Sequence, residues 1–186
     1  MIKKIVIIGP ESTGKSTLSE ELAQHYETIW CPEFAREYLL TNGTNYSYED
    51  LLIIAKGQLA LEDEYYNILE RQSLPLLENG GRIPLIIDTD MYVMKVWSEF
   101  VFGQCHPFIL EQAVKRQYDL YLLCNTDLPW TKDELREYPE LETRKRLYRM
   151  YKDIMVNQSI PWVEITGDHD ERVKLAKAAV DKILSP

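Results

Sequence analysis

The chain is poor in the residues that build metal centres and crosslinks, and it has no long apolar run. Cysteine occurs three times in 186 residues, at Cys31, Cys105 and Cys124. Three scattered thiols supply neither a disulfide framework nor a metal-ligand spacing, which fits a reducing cytoplasm. Histidine also occurs three times, at His25, His106 and His169, too dispersed for a metal site. His106, in Gly103-Gln104-Cys105-His106-Pro107, is the one expected near a substrate. No apolar stretch approaches the roughly 20 residues that span a membrane. The apolar start, Ile5-Val6-Ile7-Ile8, is too short for a signal peptide and runs straight into a glycine-bounded loop. Positive charge is also in deficit: 21 basic against 30 acidic side chains leave a formal charge of −9. That balance argues against nucleic-acid or anionic-membrane partners, which need clustered positive charge. Apolar residues, 45% of the chain, suffice for one substantial core, so residues 1–186 read as a single domain. Nothing sets an oligomeric state.

The loop after the first apolar run is Gly9-Pro10-Glu11-Ser12-Thr13-Gly14-Lys15-Ser16, the complete phosphate-loop pattern G-x-x-x-x-G-K-[ST]. A chain of this length meets it by chance roughly once in a hundred. A strand-like run precedes it and an amphipathic run from Thr17 follows, as the chemistry requires. Glycines let the backbone approach a polyphosphate, and successive N–H groups with a helix N-terminus point at its oxygens. The expected nucleotide contacts are Gly9, Glu11, Ser12, Thr13, Gly14, Lys15, Ser16 and Thr17. Lys15 reaches the β- and γ-phosphates of ATP, and the Ser16 hydroxyl ligates Mg²⁺.

Strand and helix signals alternate along the rest. Strands are expected over 2–8, 28–31, 84–88, 119–124 and 161–165. Helices are expected over 15–26, 33–41, 48–72, 91–101, up to 117, 140–157 and 169–184. Ser47-Tyr48-Glu49-Asp50 has the form of a capping box. The polar, proline-bounded stretch 125–139 and the basic helix after it suggest a lid around 125–150. The pattern implies an α/β fold: a three-layer, P-loop nucleoside/nucleotide-kinase-like architecture with a five-stranded parallel sheet.

In such sheets ligands bind at the carboxyl ends of the strands. That rule singles out Asp88 and Asp90. Asp88 can share Mg²⁺ with Ser16, as a Walker-B aspartate does; the plainer alternative is a helix cap. Glu33, Arg36 and Glu37 follow the second strand, where a small-molecule kinase keeps a base and an acceptor-binding group, although a salt-bridged helix face would look the same. Among the basic residues near the lid, Arg136 and Arg144 are the first choices for charge on a transferring phosphoryl group, with Arg146 and Arg149 next. The catalytic set is therefore Lys15, Glu33, Asp88, Asp90, Arg136 and Arg144.

Taken together, these segments resemble the ribosylnicotinamide kinase domain family of the bacterial bifunctional NAD-biosynthesis proteins, a P-loop, AAA-type ATPase domain. The matching stretches are Gly9 to Leu18, Glu33-Phe34-Ala35-Arg36-Glu37-Tyr38, Ile87-Asp88-Thr89-Asp90, His106-Pro107-Phe108, and Asp127-Leu128-Pro129-Trp130 with Asp133 and Arg136. They fall in the family's order across about residues 3–170. The resemblance implies ATP-dependent phosphorylation of the 5′-hydroxyl of nicotinamide riboside, with ATP and Mg²⁺ as cofactors. In that family an aromatic residue that stacks on the nicotinamide directly precedes the glutamate. Here that place is Pro32, with Trp30 two residues earlier. The adenylyltransferase domain has no counterpart in these residues. A flat cationic base needs an aromatic partner, and Trp30, Phe34, Tyr38 and Tyr92 lie near the acids in sequence. The expected acceptor contacts are Trp30, Glu33, Arg36, Asp90 and Tyr92. The competing reading is a P-loop NTPase acting as an ATP-binding regulatory or switch module.

Overall fold

The computed structural model describes residues 1–185. In chain order its elements are β1 (Ile2–Ile8), α1 (Lys15–His25), β2 (Trp30–Cys31), α2 (Phe34–Asn42), α3 (Tyr48–Gln72), α4 (Leu74–Glu78), β3 (Ile83–Asp88), α5 (Met91–Phe102), α6 (Pro107–Lys115), β4 (Leu120–Cys124), α7 (Leu141–Asn157), β5 (Trp162–Ile165) and α8 (His169–Leu184). The five strands form one sheet in the order β2-β3-β1-β4-β5, and every pairing is parallel. The second strand is shorter than its sequence suggests. Thr28 lies outside the ladder, where its hydroxyl donates to the Pro84 carbonyl at 2.8 Å. The short α4 was not expected, because its stretch carries no periodic signal.

β1 is central because both its faces are apolar. Ile5, Val6, Ile7 and Ile8 are wholly buried, and burial of such a side chain is worth about 1.5–3 kcal/mol. Alternation divides them between two layers. Ile5 and Ile7 join Ile86, Leu120 and Leu122 under Leu18 and Leu22 of α1 and Ala176 and Val180 of α8. Val6 and Ile8 join Leu85, Ile87 and Leu123 under Val93 and Val96 of α5 and Leu147 and Tyr151 of α7. A third cluster joins α2, α3, α5 and α6 beyond the sheet edge.

α3 opens with the capping box read from the sequence. Ser47 Oγ accepts the Asp50 N–H at 3.3 Å, and the Asp50 carboxylate accepts the Ser47 N–H at 2.7 Å. Midway along it, Gly57 lies under the Phe34 ring, and a Cβ there would overlap that ring. Gly57→Ala should therefore destabilise the protein although alanine is the better helix former by about 1 kcal/mol. Overpacking of this kind costs about 1–3 kcal/mol. Urea unfolding measures the net effect, and a stabilised variant would show that the Phe34 ring yields freely.

Candidate active site

The register of the sheet sets the site. Ile7 lies opposite Asp88 on one side of β1, and Ile8 lies opposite Leu123 on the other. The loop leaving β1 therefore starts between the ends of β3 and β4. Gly9 has φ +142°, and a Cβ on it would stand 2.7 Å from the Cys124 carbonyl oxygen. Only glycine fits there. The loop then enters α1 at Lys15 with no side-chain cap, so the first N–H groups of the helix remain free for an anion. Lys15 Nζ folds back onto the Pro10 carbonyl at 3.1 Å.

Asp88 continues the Ile86 side of β3, the side that α1 covers, and so meets the start of α1. Ser16 Oγ donates to Asp88 Oδ2 at 2.6 Å. The other carboxylate oxygen, Oδ1, is buried without a hydrogen-bond partner. Burial pushes this carboxyl above its ordinary range, opposed by the Lys15 charge and the Ser16 hydrogen bond. A hydroxyl and a carboxylate with one oxygen unsatisfied are hard donors of the kind Mg²⁺ takes.

Thr89 follows with φ +83°, an uncommon conformation for a β-branched residue. In a regular strand Asp88 and Asp90 would share a face. The left-handed residue between them sends them to opposite sides of the sheet. Asp90 Oδ1 accepts the N–H groups of Tyr92 and Val93 at 2.9 and 3.2 Å, and Oδ2 accepts the Tyr121 hydroxyl at 2.8 Å. Asp90 is thus the buried cap of α5. This corrects the expectation of a joint acidic site: the capping role considered for Asp88 belongs to Asp90. Burial pushes the Asp90 carboxyl up to about 7, against its hydrogen bonds.

Glu33 stands at the N-cap position of α2 and faces the phosphate loop. Thr89 Oγ1 lies 3.5 Å from its Oε1. Burial and the neighbouring Asp88 charge raise its pKa, while Lys15, Thr89 and Arg36 oppose the shift. Gln58, on α3 and almost wholly buried, fixes the backbone around it. Its Oε1 accepts the Phe34 N–H at 2.8 Å, and its Nε2 donates to the Pro32 carbonyl at 3.2 Å.

The phosphate loop and Glu33 open onto a cavity of about 210 Å³ lined by residues 9–17, Glu33, Arg36, Trp97, Phe100 and Tyr138. Residues 133 and 135–138 close one side. Arg36 lies at the rim, paired through both terminal nitrogens with Asp133 at 3.3 and 3.1 Å. Arg136 lines the same wall. Arg144 does not: it is buried at the start of α7, with one 3.4 Å hydrogen bond to the Leu128 carbonyl and its Nε unpartnered. The expected lid thus divides into an irregular wall over 125–140 and the first turns of α7.

The proposed ring partners lie elsewhere. Trp30 packs on the α1–α8 side of the sheet, Phe34 covers Gly57, the Tyr38 hydroxyl donates to Asp50, and Tyr92 packs against Tyr121. The cavity instead takes Val93, Trp97 and Phe100, one helical stripe of α5. That stripe was visible as i, i+4, i+7 spacing, whereas nearness to the acids misled. His106 caps α6, its Nδ1 accepting the Phe108 N–H at 3.1 Å. Arg172, overlooked in the sequence, is nearly buried behind the phosphate loop. It donates to the carbonyls of Thr13, Gly167 and Asn125 at 2.9 Å each and pairs with Asp127. No described helix is long and apolar enough to cross a membrane.

Known proteins bear on this geometry. The AAA domain family matches residues 4–172. The trifunctional NAD biosynthesis/regulator protein NadR of Escherichia coli K12 is 24% identical over 175 residues, covering 92% of this chain and 40% of that protein. The chain therefore spans well under half the length of that curated relative. A crystal structure of NadR protein in complex with NR superposes with a TM-score of 0.78 at 21% identity, over 98% of this chain and 49% of the other. Thymidylate kinase from Ehrlichia chaffeensis superposes at 0.62 and 16% identity, over 99% of both chains. These likenesses establish the P-loop kinase-like fold.

The buried cap has a consequence in pH. The Asp90 pKa is raised on folding, so between about pH 4 and its folded value near 7 the native state binds more protons than the unfolded one. Its contribution is thus present in full at low pH and is lost as pH rises through 7. Asp90→Asn should gain stability relative to wild type by on the order of 3 kcal/mol between pH 4 and 7. Denaturant unfolding at several pH values reads the difference, and a constant offset would show an Asp90 with an ordinary pKa.

Proposed function

The chain belongs to the AAA domain family, and we propose that it acts there as an ATP-dependent small-molecule kinase that phosphorylates the 5′-hydroxyl of nicotinamide riboside or a related nucleoside. The observation that carries this reading is a hydrogen-bonded Ser16–Asp88 pair at the phosphate loop, with Glu33 facing a walled cavity that runs from that loop to Trp97, Phe100 and Tyr138. A switch ATPase has no use for such a pocket. The likeness to a NadR protein solved in complex with NR, and to a thymidylate kinase, supports the same reading.

The free N–H groups of the loop and α1 bind the polyphosphate of ATP. Mg²⁺ would be held by Ser16 and Asp88, where it would supply positive charge against the phosphates. Lys15 swings from the Pro10 carbonyl to the γ-phosphoryl group. The acceptor occupies the cavity, whose aromatic lining of Trp97, Phe100 and Tyr138 suits a flat cationic base, a contact worth about 0.5–2 kcal/mol. Its 5′-oxygen bonds to the γ-phosphorus as the bond from that phosphorus to the β–γ bridging oxygen breaks. Glu33 takes the hydroxyl proton, and its raised pKa suits a base working near neutrality. Arg136, on the wall, stabilises the transferring charge. The wall over 125–140 works as a lid that keeps water from the phosphoryl group. The three unpaired cysteines suit a reducing cytoplasm.

A panel of ribosides with ATP and Mg²⁺ tests the proposal. The expected result is ADP release that requires the acceptor and yields its 5′-monophosphate. ADP release indifferent to every acceptor would favour the switch reading. Lys15→Ala and Glu33→Gln should each lower kcat/KM by about a hundredfold or more with the circular dichroism spectrum unchanged. In the wild type, kcat/KM should fall on the acid side with an apparent pKa above that of an ordinary glutamate, about 4.3.

A further inference from the structure

Glu11 occupies a variable position of the phosphate loop, where an unpaired carboxylate would repel a polyphosphate. It is fully engaged, and with one segment. Its Oε1 accepts Trp130 Nε1–H at 3.1 Å and the Tyr138 N–H at 2.7 Å, and its Oε2 accepts the Glu137 N–H at 2.8 Å. The next loop residue adds a fourth link, Ser12 Oγ accepting the Thr131 N–H at 2.9 Å. All four donors belong to the wall of the cavity, which contains no helix or strand and so has no ladder to satisfy its N–H groups. The N-terminal end of the wall is tied separately, by Arg172 to Asn125 and Asp127 and by Arg144 to Leu128. Around the cavity its remaining side-chain ties to other elements, Arg36 to Asp133 and the Tyr46 hydroxyl to Glu137, are solvent-exposed and correspondingly weak.

We propose that Glu11 is a positioning residue of the acceptor site: it fastens the wall that encloses the acceptor to the loop that binds the phosphoryl donor. The pocket for one substrate is thereby assembled on the binding loop for the other. The functional half of this proposal rests on the kinase reading; the structural half does not.

The test has two arms. In the ligand-free protein, amide hydrogen exchange at Glu137 and Tyr138 should be at least tenfold faster in Glu11→Ala, with β1 amides unchanged. In steady-state kinetics Glu11→Ala should raise the KM of the riboside at least tenfold and the KM of ATP less than threefold. Glu11→Gln, which keeps one accepting oxygen, should fall between. Trp130→Phe alone should raise the riboside KM but add nothing to Glu11→Ala, because the bond it removes is already lost. Unchanged exchange at Glu137 and Tyr138 would overturn the proposal. So would a parallel rise in both KM values, which marks a residue that merely shapes the phosphate loop. A wild-type protein inert toward every riboside would sink the kinase reading, while faster exchange in Glu11→Ala would still support the fastening itself.

Discussion

The functional edge hangs on one register, the parallel pairing that sets Asp88 beside Ile7. A slip of one residue would turn Asp88 from the α1 side of the sheet to the α5–α7 side. It would lose the Ser16 hydroxyl and the company of Lys15. What holds the register is the apolar alternation of β1 and β3, whose side chains enter two different cores. The Asp88 carboxylate is thus positioned by side chains buried in the cores rather than by the loop it meets.

The same edge gathers more acid than it can comfortably ionise. Glu33 and Asp88 lie near a single lysine; burial raises both, and the Asp88 charge raises Glu33 further. Protons at such a pair belong to the pair, so a change at one carboxylate alters the other.

The sequence was legible where a local rule sufficed. The phosphate loop, the alternation of strands and helices and the Ser47–Asp50 box are short-range signals, and each matches its element closely. Legibility failed where distant parts meet. Nothing local marked Thr89 as left-handed, so Asp88 and Asp90 read as partners when they lie on opposite faces. Arg144 looked like an exposed lid cation because its burial depends on residues far along the chain. Gln58 and the Trp97–Phe100 stripe were within reach of periodicity arguments. A lone glutamine on the buried stripe of α3, four residues from Ile54, invites a search for the backbone it satisfies.

The cavity wall is irregular, held by side chains of the phosphate loop, α2, α7 and α8. Only Leu135 and Tyr138 of it pack at the margins of the cores, and its other residues belong to no core cluster. The donor machinery, by contrast, is locked into strand ends and tight glycine turns. The molecule therefore separates a rigidly framed half from an irregular one. On the kinase reading, a change of acceptor needs changes in little more than one surface segment and the α5 stripe opposite it.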